Sequence, residues 1–141
     1  MTDDPHRLER FVEAQREIYP RALDELAAGA KRSHWMWFIF PQLAGLGRSP
    51  TAQAYAVASL DEARAYLGHP LLGPRLYECV EALLALPRDR EIERVLGPID
   101  ATKLRSSLTL FEAADGGAPL RRALDRFFAG ERDPLTLVRL K

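Results

Sequence analysis

The sequence predicts an all-α protein, a compact multihelical single domain of short helices joined by Pro/Gly-rich connections. Three observations predict it. Apolar residues recur three or four apart along most of the 141-residue chain, the spacing of one helical face. Ten prolines and nine glycines divide that pattern into many short elements. The stretch whose aromatics suit a strand, Trp35 to Phe40, has no second β-rich run to pair with.

Leu8, Phe11 and Val12, then Ile18 and Tyr19, then Ala22, Leu23 and Leu26 form the first periodic run. Pro20 interrupts it. The pattern predicts one helix from Pro5 to Ile18 and a second from Pro20 to Ala28. Pro20 then sits in a first turn, where its missing N–H costs nothing, and Gly29 is the stop. Trp35 to Phe40 reads as a short helix that Ser33 can cap. Pro41, Gly45, Gly47 and Pro50 predict a loop from Pro41 to Arg48. Ser59-Leu60-Asp61-Glu62 is a capping box, opening a helix that ends near Leu67. Leu72, Leu76, Val80 and Leu83 mark the apolar face of the next, from Pro70 or Pro74 to Leu86. Asp89 is the candidate cap of a short helix ending before Gly97. Asp100 is the candidate cap of another, which holds Leu104, Leu108 and Phe111. Gly116-Gly117 breaks the chain, and Leu120, Leu124, Phe127 and Phe128 give a helix stopped by Gly130. Asp133-Pro134 starts a short terminal helix.

Composition excludes several function classes. Apolar residues make up 47%, too many for a disordered chain. Lys+Arg and Asp+Glu are 20 each, so no net field draws the protein to nucleic acid, and strong nucleic-acid binding is not expected. The longest apolar run, Trp35 to Phe40, is too short to span a bilayer. The start, Met1-Thr2-Asp3-Asp4-Pro5, lacks the basic-then-apolar form of a signal peptide, and Cys79 has no partner for a disulfide, so a cytoplasmic protein is expected. Three histidines and one cysteine at scattered spacings form no zinc pattern. Neither a metal nor another cofactor is called for.

Three segments carry residues suited to chemistry. Lys31-Arg32-Ser33-His34-Trp35-Met36-Trp37-Phe38 sets cation, hydroxyl, imidazole and indoles beside an apolar run. Trp35 or Trp37 can stack on a base and Lys31 can hold a phosphate, although tryptophans are most often core. Pro41-Gln42 to Ser49 places Gln42, Gly47 and Arg48 where backbone N–H groups and a counter-charge can meet an anion, or form a plain turn. Its Gly45-x-Gly47 is neither a Rossmann nor a Walker loop. Asp100 to Thr109 sets Lys103, Ser106 and Ser107 near one helical face, with hydroxyls that are unusual in a helix interior. Only three of the twenty cations are lysines, Lys31, Lys103 and Lys141, and two of those fall in these segments. Lysine can attack a carbonyl where arginine cannot. Lys103, on a helix, is the better-placed of the two. Gln15 interrupts the apolar face between Phe11 and Ile18 and needs a partner.

Ser33-His34-Trp35-Met36-Trp37-Phe38-Ile39-Phe40-Pro41-Gln42 closely resembles a bacterial family of unknown function, number 1810, whose members are often mislabelled calpastatin. The resemblance continues through Gly45-Leu46-Gly47, His69-Pro70 and Asp100-x-x-Lys103-Leu104-x-Ser106-Ser107, over nearly the whole chain. It implies a small helical domain and no established activity. A calpain inhibitor would be largely disordered, and this chain is not. The order of a lysine-and-aromatic segment followed by Asp-x-x-Lys is also somewhat similar to the NADAR family of helical N-glycosidases. That likeness implies action on ADP-ribosyl or ribosylated substrates, with Lys103 at the sugar carbon.

Two functional classes follow. One is an enzyme that cleaves an N-glycosidic bond in an ADP-ribose-like or nucleotide-like molecule. In it Lys103, Asp100 and His34 are catalytic, and Lys31, Ser33, Trp35, Trp37, Gln42, Gly47, Arg48, Ser106 and Ser107 bind the ligand. The other is a non-catalytic module that binds a small anion or a protein through the same surface. Convergence discriminates them: an enzyme needs Lys103, a carboxylate and the His34 segment around one concave pocket.

Overall fold

The structure, a computed structural model, describes residues 3–140. Helix α1 (Glu9–Ala28) carries the first periodic run, and its buried Phe11, Gln15, Tyr19, Ala22 and Leu26 form one stripe. It is continuous through Pro20, where the sequence predicts a break between two helices. Pro20 and Arg16, one turn earlier, are both exposed, so the missing bond lies on the solvent side while the buried stripe holds the helix together. The helix also opens at Glu9 rather than Pro5. The Asp4 carboxylate accepts from the N–H groups of Leu8 and Glu9 at 2.7 and 2.9 Å and fixes that end.

Helix α2 (Met36–Ile39) is the short helix expected of the aromatic run, but Ser33 does not cap it. The Ser33 hydroxyl donates to Glu25 instead, at 2.7 Å. The predicted loop follows and carries one parallel bridge, in which Ala44 N–H donates to Val57 O and Val57 N–H to Gln42 O, each at 2.8 Å. Helix α3 (Pro50–Ala54), capped by Ser49, lies in a stretch for which the sequence predicts no element.

Helix α4 (Leu60–Gly68) opens on the predicted capping box: Ser59 Oγ accepts from Glu62 N–H at 3.2 Å, and the Glu62 carboxylate reaches back to Ala58 N–H. Helix α5 (Leu72–Leu84) is two residues shorter at its end than expected. His69 Nδ1 accepts from Leu71 and Leu72 N–H at its start. Helix α6 (Ile92–Leu96) begins after Glu91, so Asp89 is not its cap. Helix α7 (Pro98–Ala113) begins behind Gly97, whose φ of 90° suits glycine alone. Asp100 therefore lies inside the first turn and makes no cap, and its carboxylate meets two lysines. Helices α8 (Ala118–Phe128) and α9 (Pro134–Leu140) complete the chain, and Asp133 caps α9 by accepting from Thr136 N–H at 3.1 Å. Among the described residues there are nine helices and no strand, and no helix is long and apolar enough to cross a membrane.

Helix α7 is the axis of the molecule, packed against α4, α6, α8 and α9. Leu104, Leu108, Leu110 and Phe111 join one core with Phe11, Trp35, Phe40 and Tyr66. Its hydroxyls seat the last helix. Ser106 donates to Asp133 at 3.0 Å, and Thr109 accepts from Asp133 N–H at 2.9 Å. Gln15 finds partners across the core: its amide donates to Phe38 O at 2.7 Å and Tyr66 Oη at 3.1 Å, and it accepts from Arg75 at 3.3 Å. A polar residue on an apolar face thus joins α1 to α2, α4 and α5.

Candidate functional site

The segment between α1 and α2 has almost no regular structure, so side chains must hold it in place. Glu25, near the end of α1, accepts from Arg32 N–H, Ser33 N–H, the Ser33 hydroxyl and Trp35 Nε1–H, all within 2.7–2.9 Å. Burial pushes this carboxyl up, but the four donors outweigh it and hold it at about 2, well below the usual carboxylate range. From the other side Lys31 N–H donates to Val95 O at 2.8 Å. The segment is thereby pinned between α1 and α6, and the Lys31 side chain reaches the first turn of α7.

Where the two meet, Lys31 Nζ lies 2.8 Å from Asp100 Oδ2 and Lys103 Nζ lies 3.7 Å from Asp100 Oδ1. Lys103 follows Asp100 by three positions, so the helix itself places both on one face. Each ammonium also covers an indole: Lys31 stands 5.1 Å from the Trp35 ring centre, and Lys103 stands 4.8 Å from that of Trp37. The lysines differ in access. The Lys31 side chain is 9% exposed and that of Lys103 24%, so Lys31 is the inner cation and Lys103 the one that solvent and solutes reach.

These groups line an open groove of about 370 Å³ with His34, Met36, Leu96 and Ile99. Ile99 is 73% exposed and forms its rim. On the other side of Trp37 and Lys103 lies a much smaller hollow, about 10 Å³ or room for one water, lined by Gln42, Gly47 and Tyr55 among others. Gly47 is needed there, because a Cβ would stand 2.5 Å from the Ala52 methyl. The Trp37 Nε1–H is buried without a hydrogen-bond partner, which leaves an unused donor at this boundary.

The groove thus brings together five of the residues singled out in the sequence, Lys31, His34, Trp37, Asp100 and Lys103. Gln42 and Gly47 line the adjoining hollow. The others lie elsewhere. Trp35 is fully buried and its Nε1 is bonded to Glu25, so no base stacks on it in this conformation. Ser33 is spent on the same carboxylate. Arg48 is exposed in the loop before α3, outside both hollows. Ser106 faces Asp133, and Ser107 is wholly buried with its hydroxyl unpartnered. Glu25 is the residue that sequence reasoning missed. It stands on a helix face already explained by its apolar stripe, and only the clustering of polar N–H donors from Arg32 to Trp35 signals that something must accept from them.

Chemically, a carboxylate between two ammonium groups leaves one formal positive charge in a partly apolar groove with an indole wall. Such a groove can hold a flat ring and an anionic group, and it sets a carboxylate and an imidazole beside them.

A family model described as a protein of unknown function, DUF1810, matches residues 5–140. A crystal structure of the conserved hypothetical protein Rv1873 from Mycobacterium tuberculosis is similar over 97% of this chain and 98% of that one, with 48% identity and a TM-score of 0.95. No curated protein matches the chain.

Proposed function

Because the chain belongs to the DUF1810 family, whose description names no activity, function has to be argued from the groove, and we propose that the protein cleaves an N-glycosidic bond in a nucleotide-like or ADP-ribose-like small molecule. One observation carries the reading. Lys103, the Asp100 carboxylate and His34 line a single groove beside the half-buried Trp37 indole. The loose resemblance of Asp100-x-x-Lys103 to NADAR-type N-glycosidases supports the same class of bond.

The groups divide the work as follows. The bond between the sugar carbon and the base nitrogen breaks, and its electron pair leaves with the base. Asp100 stabilises the positive charge that develops on the sugar. Water adds to that carbon and loses a proton to His34 at the rim. Lys103 binds the ligand's anionic group as an ammonium; paired with Asp100, it is a charge stabiliser rather than an attacking amine. Lys31 stays buried against Asp100 and fixes its position.

The test is release of free base, followed chromatographically, from NAD, ADP-ribose and a set of nucleoside monophosphates. The expected result is turnover of at least one, with Asp100→Asn lowering kcat by about a hundredfold or more and Lys103→Met chiefly raising KM, by about tenfold or more. No release from any of them overturns the reading. One observation favours a second reading, a non-catalytic module for a small anion. Asp100 already has both lysines as partners, as a purely structural carboxylate would. Its signature is saturable binding of the same molecules without turnover.

A further inference from the structure

Resting on the groove assigned above, we propose that its ligand is of the mononucleotide class, one ring and one phosphate, and that Lys103 admits it by moving from the Trp37 face to that phosphate. The charge count sets the phosphate number. Of the two lysines, Lys31 is committed: it is buried, 2.8 Å from Asp100, with the Trp35 ring on its other side. Lys103 is held more loosely, at 3.7 Å, and is more exposed. One cation is therefore available, and Asp100 stands behind it. A single phosphate meets Lys103, whereas a second would face the carboxylate with no cation of its own.

Size and shape agree. At about 370 Å³ the groove lies at the small end of ligand pockets, which span about 300–1,000 Å³. Trp37 is its single aromatic wall, and the other indole is sealed in the core. A dinucleotide would keep one ring and one phosphate in solvent. The Trp37 face is not free in the unliganded protein, because the Lys103 ammonium stands 4.8 Å from the ring centre. Moving that ammonium to a phosphate uncovers the ring face for the base. Phosphate and ring thus depend on each other: a nucleoside has nothing to draw Lys103 away, and inorganic phosphate gains nothing from the ring it uncovers.

The test is titration of the intact protein with adenosine monophosphate, adenosine, inorganic phosphate, NAD and ADP-ribose, read by calorimetry and tryptophan fluorescence. Adenosine monophosphate is expected to bind about tenfold or more tighter than each of the others, and to change the fluorescence of the wild type but not of Trp37→Phe. Lys103→Met is expected to erase the gap between nucleotide and nucleoside, and Lys103→Arg to keep part of it. Equal or tighter binding of NAD or ADP-ribose overturns the mononucleotide assignment and leaves the glycosidase reading standing. Equal binding of nucleoside and nucleotide to the wild type overturns the role of Lys103. Absence of binding by all five overturns this inference and the ligand class of the glycosidase reading together.

Discussion

Glu25 has one carboxylate and four donors, and this makes its protonation state a condition of the local structure. Its folded value is held at about 2, below the 4.5 of a free glutamate. A depressed carboxylate stabilises the folded state fully above its unfolded value, and that contribution is lost as pH falls through the folded one. Titration from pH 5 towards pH 2 is therefore expected to lower stability, and Glu25→Gln to flatten that part of the curve. At neutral pH the substitution should cost roughly 2 kcal/mol in denaturant unfolding, because an amide replaces a charged acceptor and adds donors of its own. Asp100 makes a parallel case. Asp100→Asn leaves the 9%-exposed Lys31 ammonium without its partner, whereas Lys103→Met leaves Asp100 still paired with Lys31. The first is expected to destabilise by about 2–3 kcal/mol and the second by less than about 1 kcal/mol. Thermal or denaturant melts of the two variants check the order, and addition of Lys31→Met should restore much of what Asp100→Asn loses.

At the scale of elements, several local signals were legible in the chain. The Ser59 box, the Asp133-Pro134 start and the loop beginning at Pro41 all fall where the residues put them, because each rests on groups within four positions of one another. The failures have other causes. Pro20 reads as a boundary by its own chemistry, yet the buried stripe on both sides of it overrides that preference. Asp89 and Asp100 read as caps, but Glu91 and Gly97 take those positions in the chain. Pro20→Ala tests the first point directly. The residue is exposed and inside a helix, so alanine adds the missing donor without disturbing the core. A gain of about 1 kcal/mol is expected, seen as a rise in Tm of roughly 2–4 °C.

For the molecule as a whole, the site was legible as a set of residue types and not as a set of contacts. Lys31, His34, Trp37, Asp100 and Lys103 stand out by chemistry, and they do converge. Nothing in the spacing tells Trp35 from Trp37, two residues apart, yet one is sealed on Glu25 and the other walls the groove. The hydroxyls of α7 were misleading for a related reason: a serine facing a cleft and one facing a buried Asp133 have the same sequence. Charge balance remains informative at this scale. With 20 cations against 20 anions, and many of the arginines paired or bonded to carbonyls, little counterion release is available. Generic duplex or single-stranded nucleic acid is expected to bind no tighter than about 1 µM at physiological salt, as measured by fluorescence anisotropy.

The groove has its two walls in opposite halves of the chain, one from Lys31 to Trp37 and the other from Leu96 to Lys103. Helices such as α5 and α8 can form from neighbours in sequence, but this junction closes a long loop before any contact rewards it. It is therefore expected to form late in folding, after the rate-limiting barrier. Weakening the Lys31–Asp100 junction should then accelerate unfolding and leave the folding rate nearly unchanged, so the same pair that shapes the groove also sets how long the native state survives once formed.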